Sequence, residues 1–114
     1  MTTNGEEPAP SLSTVLAIHA ASMAFLGTAT EGSTTTYLRG DRPFAVVGPD
    51  GGSFLLGRAI VAAALRTPDT RPSERGPDWI AFRPNELDTF AIDRATAWLE
   101  AAWRHAAAAD DRGT

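Results

Sequence analysis

TTTYLRGDRPFAVVGPDGGSFLL, residues 34 to 56, decides the fold. TTTYLR is β-branched and aromatic, PFAVVG is apolar, and SFLL follows the turn sequence PDGG. Pro49 presets one turn dihedral and Gly51 and Gly52 accept positive φ, so PDGG is a strong reversal signal. RGDRP, residues 39 to 43, reads as a second hairpin turn. RGD also matches an integrin-binding tripeptide, but in a chain read as intracellular its role is the turn. The expectation is three antiparallel strands joined by two tight turns.

Upstream, a helix should start at Ser11 or Ser13, either of which can cap free backbone N–H groups, and stop at Gly27. Leu12, Val15, Leu16, His19, Met23 and Leu26 recur at helical spacing and form one stripe. No charged residue falls between Leu12 and Leu26, although a surface helix normally carries charge on its wet face. That face should therefore be covered, and a homodimer through the first helix is one way to cover it. Residues 1 to 10 carry two prolines and two glutamates and read as a disordered tail.

Downstream, GRAIVAAALRT (57 to 67) reads as a short apolar helix that Pro68 ends. RTPDTRPSERGPDW (66 to 79) follows. Its prolines at 68, 72 and 77 oppose regular structure, which leaves an extended connection to the strand WIAF. Asn85 can cap a long closing helix, with Asp88 three residues on. Leu87, Ala91, Ala95, Trp98, Ala102 and Ala106 line one face of that helix, widened by Phe90, Leu99 and Trp103. Residues 109 to 114 read as a second tail. The fold class is α+β: one domain over residues 11 to 108, an antiparallel β-meander packed with helices in the order α-β-β-β-α-β-α.

The chain has 114 residues, enough for one hydrophobic core without metal or disulfide support. With no cysteine, thiolate chemistry, disulfides and cysteine-ligated zinc are excluded. MTTNGEEPAPS has no basic run ahead of an apolar segment, and no apolar run is long enough for a bilayer, so the expected location is cytoplasmic. All ten basic residues are arginine, and the formal net charge is −4, which argues against indiscriminate coating of nucleic acid. The charge is unevenly spread. Residues 39 to 83 hold seven arginines against five acids (+2), while residues 1 to 38 and 84 to 114 each come to −3. An anionic partner would therefore be met by the middle segment.

Catalytic and metal signatures are sparse. His19 reads as a hydrogen-bonded core histidine and His105 as a helix-terminal one that interacts with the helix dipole. No tight His/Asp/Glu cluster suggests a metal site, and no cofactor is implied. The serines lack a GxSxG setting, and GPDGG lacks the Lys-Ser/Thr of a phosphate loop. The reading is a non-catalytic binding domain. Arg39, Arg42, Arg58, Arg66, Arg71, Arg75 and Arg83 are the candidate contacts to DNA or another anion, and Trp79 is a candidate stacking surface.

The succession GTATEG, DRPFAVVGPDGGSFLL, RTPDTRPSERGPDWIAFRP and AWLEAAWRHA resembles the MmcQ/YjbR-like family of small α/β proteins over roughly residues 12 to 107. That family likewise runs helix, meander with FA-x-V and a turn, helix, irregular Gly/Pro stretch before W-(V/I), and closing helix. The chain departs from it in having AAWRHA where an S-Y pair often stands, and in its arginine-rich stretch. The TfoX N-terminal domain has a similar meander. The resemblance implies a compact α+β fold compared with DNA-binding proteins and brings no catalytic residues. Besides DNA or anion binding, a protein-interaction module and a small-molecule binding protein remain open.

Overall fold

Six antiparallel strands and three helices are formed by the described residues. The computed structural model describes residues 11–24 and 26–113, with side chains as far as 108. The expected tail over residues 1 to 10 lies outside the described residues. Strands β1 (Gly27–Glu31), β2 (Thr34–Arg39), β3 (Arg42–Val47) and β4 (Gly52–Leu55) make a meander. Helix α2 (Arg58–Ala64) leads to β5 (Thr70–Pro72) and β6 (Trp79–Phe82), and the sheet order is β1-β2-β3-β4-β6-β5. Helices α1 (Leu12–Ala20) and α3 (Thr89–Gly113) complete the chain. The architecture is α+β in the expected order, extended by one strand at each edge of the sheet.

Both added strands have a physical reason. GTATE carries too few large side chains to announce itself, and it becomes β1 because the turn Gly32–Ser33 lays it against β2 from Gly27↔Leu38 to Glu31↔Thr34. The connection 66 to 79 is not wholly irregular, since Thr70–Pro72 pairs with β6 as an edge strand. An edge needs ladder donors on one side only, which is where proline is tolerated. Asp69 enters that strand with φ 66, a left-handed conformation that aspartate tolerates better than most residues.

The helix boundaries differ from the sequence reading. Ser11 caps α1, its hydroxyl accepting from the Thr14 N–H at 3.2 Å. The helix ends at Ala20 instead of near Gly27. The Ser22 N–H (3.1 Å) and hydroxyl (2.8 Å) both donate to the His19 carbonyl, and Met23 N–H donates to Ala20, turning the chain toward β1. At α3 the cap is Asp88, not Asn85: its carboxylate accepts from the Ala91 N–H at 2.9 Å. The helix then continues to Gly113, so residues 109–113, expected as a tail, are helical; the alanines at 106 to 109 are strong helix formers that carry the helix into this segment. His105 is consequently mid-helix.

One core lies between the sheet and the three helices. Tyr37, Ala45, Val47, Phe54, Ile80 and Phe82 point into it from the strands, and Leu12, Leu16, Val61, Ala64 and Leu99 from the helices. Ala91, Ala95, Ala102 and Ala106 let α3 lie close to the sheet. Trp98 fills the space between them, edge-on to Phe82 at 5.0 Å. A bulge at Tyr37/Leu38 breaks the alternation along β3, so Phe44 and Ala45 are both buried. Phe90, assigned to the apolar face by its spacing, is 74% exposed. Gly57 has φ +89, and a Cβ there would lie 2.8 Å from the His105 ring, so only glycine lets α2 start this close to α3.

Candidate functional site

The core takes one face of the sheet. The register places Ala29, Thr36, Val46, Ser53, Ala81 and Arg71 in a single row across all six strands on the other face. These are residues that alternate with the buried ones, and all but the terminal Arg71 are small or β-branched and uncharged. A groove of about 780 Å³ lies along the middle of the row. Val46, Ser53 and Ala81 form its floor, the Gly48–Gly51 turn one wall, and Arg71 to Arg75 the other. Gly51 is packed so tightly that an added Cβ would stand 2.6 Å from the Phe82 carbonyl oxygen.

Three of the seven candidate arginines meet at this groove: Arg71, Arg75 and Arg83. Arg71 opposes Ala81 across the β5–β6 ladder, and Arg83 follows Ala81 by two residues on the same face. They are therefore diagonal neighbours, a separation of about 7–8 Å at the backbone end of the side chains. Both are exposed, and neither has an ion-pair partner among the described residues. Arg75 is held differently. Its guanidinium lies 5.5 Å from the centre of the Trp79 ring, and its backbone N–H donates to the Ser73 hydroxyl at 3.1 Å. Ser73 in turn shares a hydroxyl hydrogen bond with Ser53 of the floor at 3.1 Å, fixing the loop to β4. Trp79 does not line the groove itself and is linked to its wall only through this contact with Arg75.

The other four candidates lie elsewhere. Arg58, at the start of α2, pairs with Asp78 at 3.7 Å, and Arg66 is exposed just beyond the end of that helix. Arg39 and Arg42 flank the β2–β3 turn, with Arg39 stacked over Trp103 at 4.8 Å. The Trp103 indole N–H donates to the Ala24 carbonyl at 3.0 Å, so this stack ties β2 and α3 to the segment after α1.

Sequence reasoning missed the groove's other members. Asp50 and Glu74 bring carboxylates to its rim, and Val46, Ser53 and Ala81 make its floor. Their signal was present as alternation, since each precedes a buried residue, but only the register brings them together. A second groove of about 510 Å³ adjoins it, lined by Ser11, Asp50, Arg83 and Asn85 among others, so Asp50 and Arg83 face both. His19 is half-buried, with Nε2 2.6 Å from Glu100 Oε2 in a link between α1 and α3. Among the described residues no His, Cys, Asp and Glu side chains converge into a metal-holding group, and no helix is long and apolar enough to cross a membrane. Comparison with protein-family models, curated proteins and solved structures finds no match to this chain.

Proposed function

We propose that this is a small non-catalytic binding domain whose open sheet face takes an anionic ligand. The observation that carries this reading is the pair Arg71 and Arg83, two exposed guanidinium groups without ion-pair partners among the described residues, set diagonally over a floor of small side chains. Unpaired guanidinium groups present planar donor forks suited to phosphate or carboxylate oxygens. The groove's volume falls within the ~300–1,000 Å³ of ordinary ligand sites. Nucleic acid is the first ligand to test. The resemblance to the MmcQ/YjbR-like family supports it, and Trp79 with Arg75 offers a base a surface to stack on. The chain's net charge of −4 restricts any such contact to the groove and opposes general coating of a duplex.

The test is a titration with short single- and double-stranded DNA, followed by DNA anisotropy at two salt concentrations. Binding that weakens with salt and is lost in Arg71→Ala/Arg83→Ala supports the reading. Binding untouched by that double variant, or none at low salt with DNA or with small phosphorylated and carboxylated ligands, ends it. A second reading, self-association through α1, is favoured by Ile18, 72% exposed on that helix.

A further inference from the structure

The two edges of the sheet are unlike. β5 is three residues long, ends in Pro72 and carries Arg71, devices that discourage pairing with another chain. β1 has five residues, no proline and no basic residue, and pairs with β2 without a bulge. All five of its residues are exposed, including Thr28 and Thr30, which lie on the helix side of the sheet. The helices do not extend far enough to cover it.

Its outer hydrogen-bonding groups follow from the hairpin. Around the two-residue turn Gly32–Ser33, Glu31 and Thr34 exchange backbone hydrogen bonds, and the exchange recurs at every second pair, Ala29↔Thr36 and Gly27↔Leu38. The N–H and C=O groups of Thr28 and Thr30 therefore point away from β2, on a side where no other strand of the described residues pairs with β1. The sequence carrying them, Thr28-Ala29-Thr30, reads the same in both directions.

We propose that β1 is a self-association edge, on which a second copy of this chain docks its own β1 antiparallel about a two-fold axis at Ala29. In that register Thr28 of one copy exchanges both backbone hydrogen bonds with Thr30 of the other, and the symmetric pair does the same. Threonine faces threonine twice, a favourable cross-strand pair, and alanine faces alanine at the axis. Glu31 falls opposite Gly27 of the second copy, so no like charges meet. A foreign strand would have to match this pattern by chance, whereas a second copy matches it by symmetry. The open-face row then continues without a break from one protomer into the next. This inference does not depend on the anion reading, and it uses a surface other than α1.

Analytical ultracentrifugation of the full chain over a concentration series tests it. The expected result is a reversible shift toward twice the 12.0 kDa chain mass. Ala29→Lys and Ala29→Glu each place like charges at the axis, so each variant alone stays monomeric while keeping the parent's circular dichroism spectrum. Mixing the two variants restores the dimer, because the charges at the axis are then opposite. A monomer at every concentration overturns the proposal, as does a dimer that survives Ala29→Lys, or a mixture that stays monomeric. A dimer abolished by Ile18→Glu but not by Ala29→Lys overturns it in favour of α1.

Discussion

The two faces of the sheet are made by the same strands and obey opposite rules. Along β4, Phe54 is fully buried beneath Trp98, while the preceding Ser53 faces the groove. Along β6, Ile80 and Phe82 enter the core, while Trp79 and Ala81 face out. The inner face is large, apolar and contiguous. The outer face is small along the groove floor of Val46, Ser53 and Ala81, with Trp79 to one side and the arginines at the rim. Stability and recognition are thereby assigned to alternate residues, and substitutions one position apart should act on one property and spare the other.

The largest effect is expected inside. Phe54→Ala removes a buried ring and should lower unfolding free energy by about 3–5 kcal/mol in chemical denaturation. At the boundary between the faces, Gly51→Ala forces its new methyl group against the Phe82 carbonyl. A loss on the order of 1–3 kcal/mol is expected, with a distorted groove wall and weaker ligand binding, read by denaturation and titration of the same variant. Tyr37 supplies a pH test of the inner face. Burial raises its phenol pKa above the ordinary 10.0. The folded protein then holds its proton where the unfolded chain releases it, so stability is intact below that ordinary value and falls as pH rises through it. Tyr37→Phe should flatten this alkaline decline in thermal melts.

Outside, Arg71→Ala and Arg83→Ala should each change stability by no more than about 0.5 kcal/mol. Each should nevertheless reduce the salt dependence of oligonucleotide binding by about one unit of slope. The smallest effect on folding is expected for Ala81→Leu, which adds volume to the groove floor away from the core. Its thermal midpoint should stay near the parent's while ligand binding is blocked. A large loss of stability in Ala81→Leu would remove the division between the faces.

Residues 34–56 made the central meander legible because their turn positions and strand propensity agree, although Gly51 and Gly52 do not take the expected positive φ and Gly51 is instead required by its close approach to the Phe82 carbonyl. The alanine stripe with Trp98 made the inner face of α3 legible as well. β1 was hidden because Thr28 and Thr30 become strand residues only through their partner β2, and β5 because three prolines obscured an edge that tolerates one of them. Phe90 was misplaced because α3 turns Ala91 and Ala95 into the core, which leaves Phe90 on the exposed side of its first turn. Of the site, Arg71, Arg75 and Arg83 were visible as local charge. Val46, Ser53 and Ala81 were not, because they lie on three strands and meet only through the β3–β4 and β4–β6 registers, the second of which joins strands distant in sequence.

The ladder between β4 and β6 has a consequence for how the molecule comes apart. Every other strand pair joins neighbours in sequence, whereas Leu55↔Trp79 closes a loop containing α2 and β5. Loops of that length carry a larger closure entropy than the tight turns of the meander, so this ladder should be the slow one to zip and an early one to open. Ser53↔Ala81, the floor of the groove, lies on that ladder. An occupant resting there would touch both halves at once and act as a rivet across the join, slowing hydrogen exchange along β4 and β6 well before it changed the protein's shape.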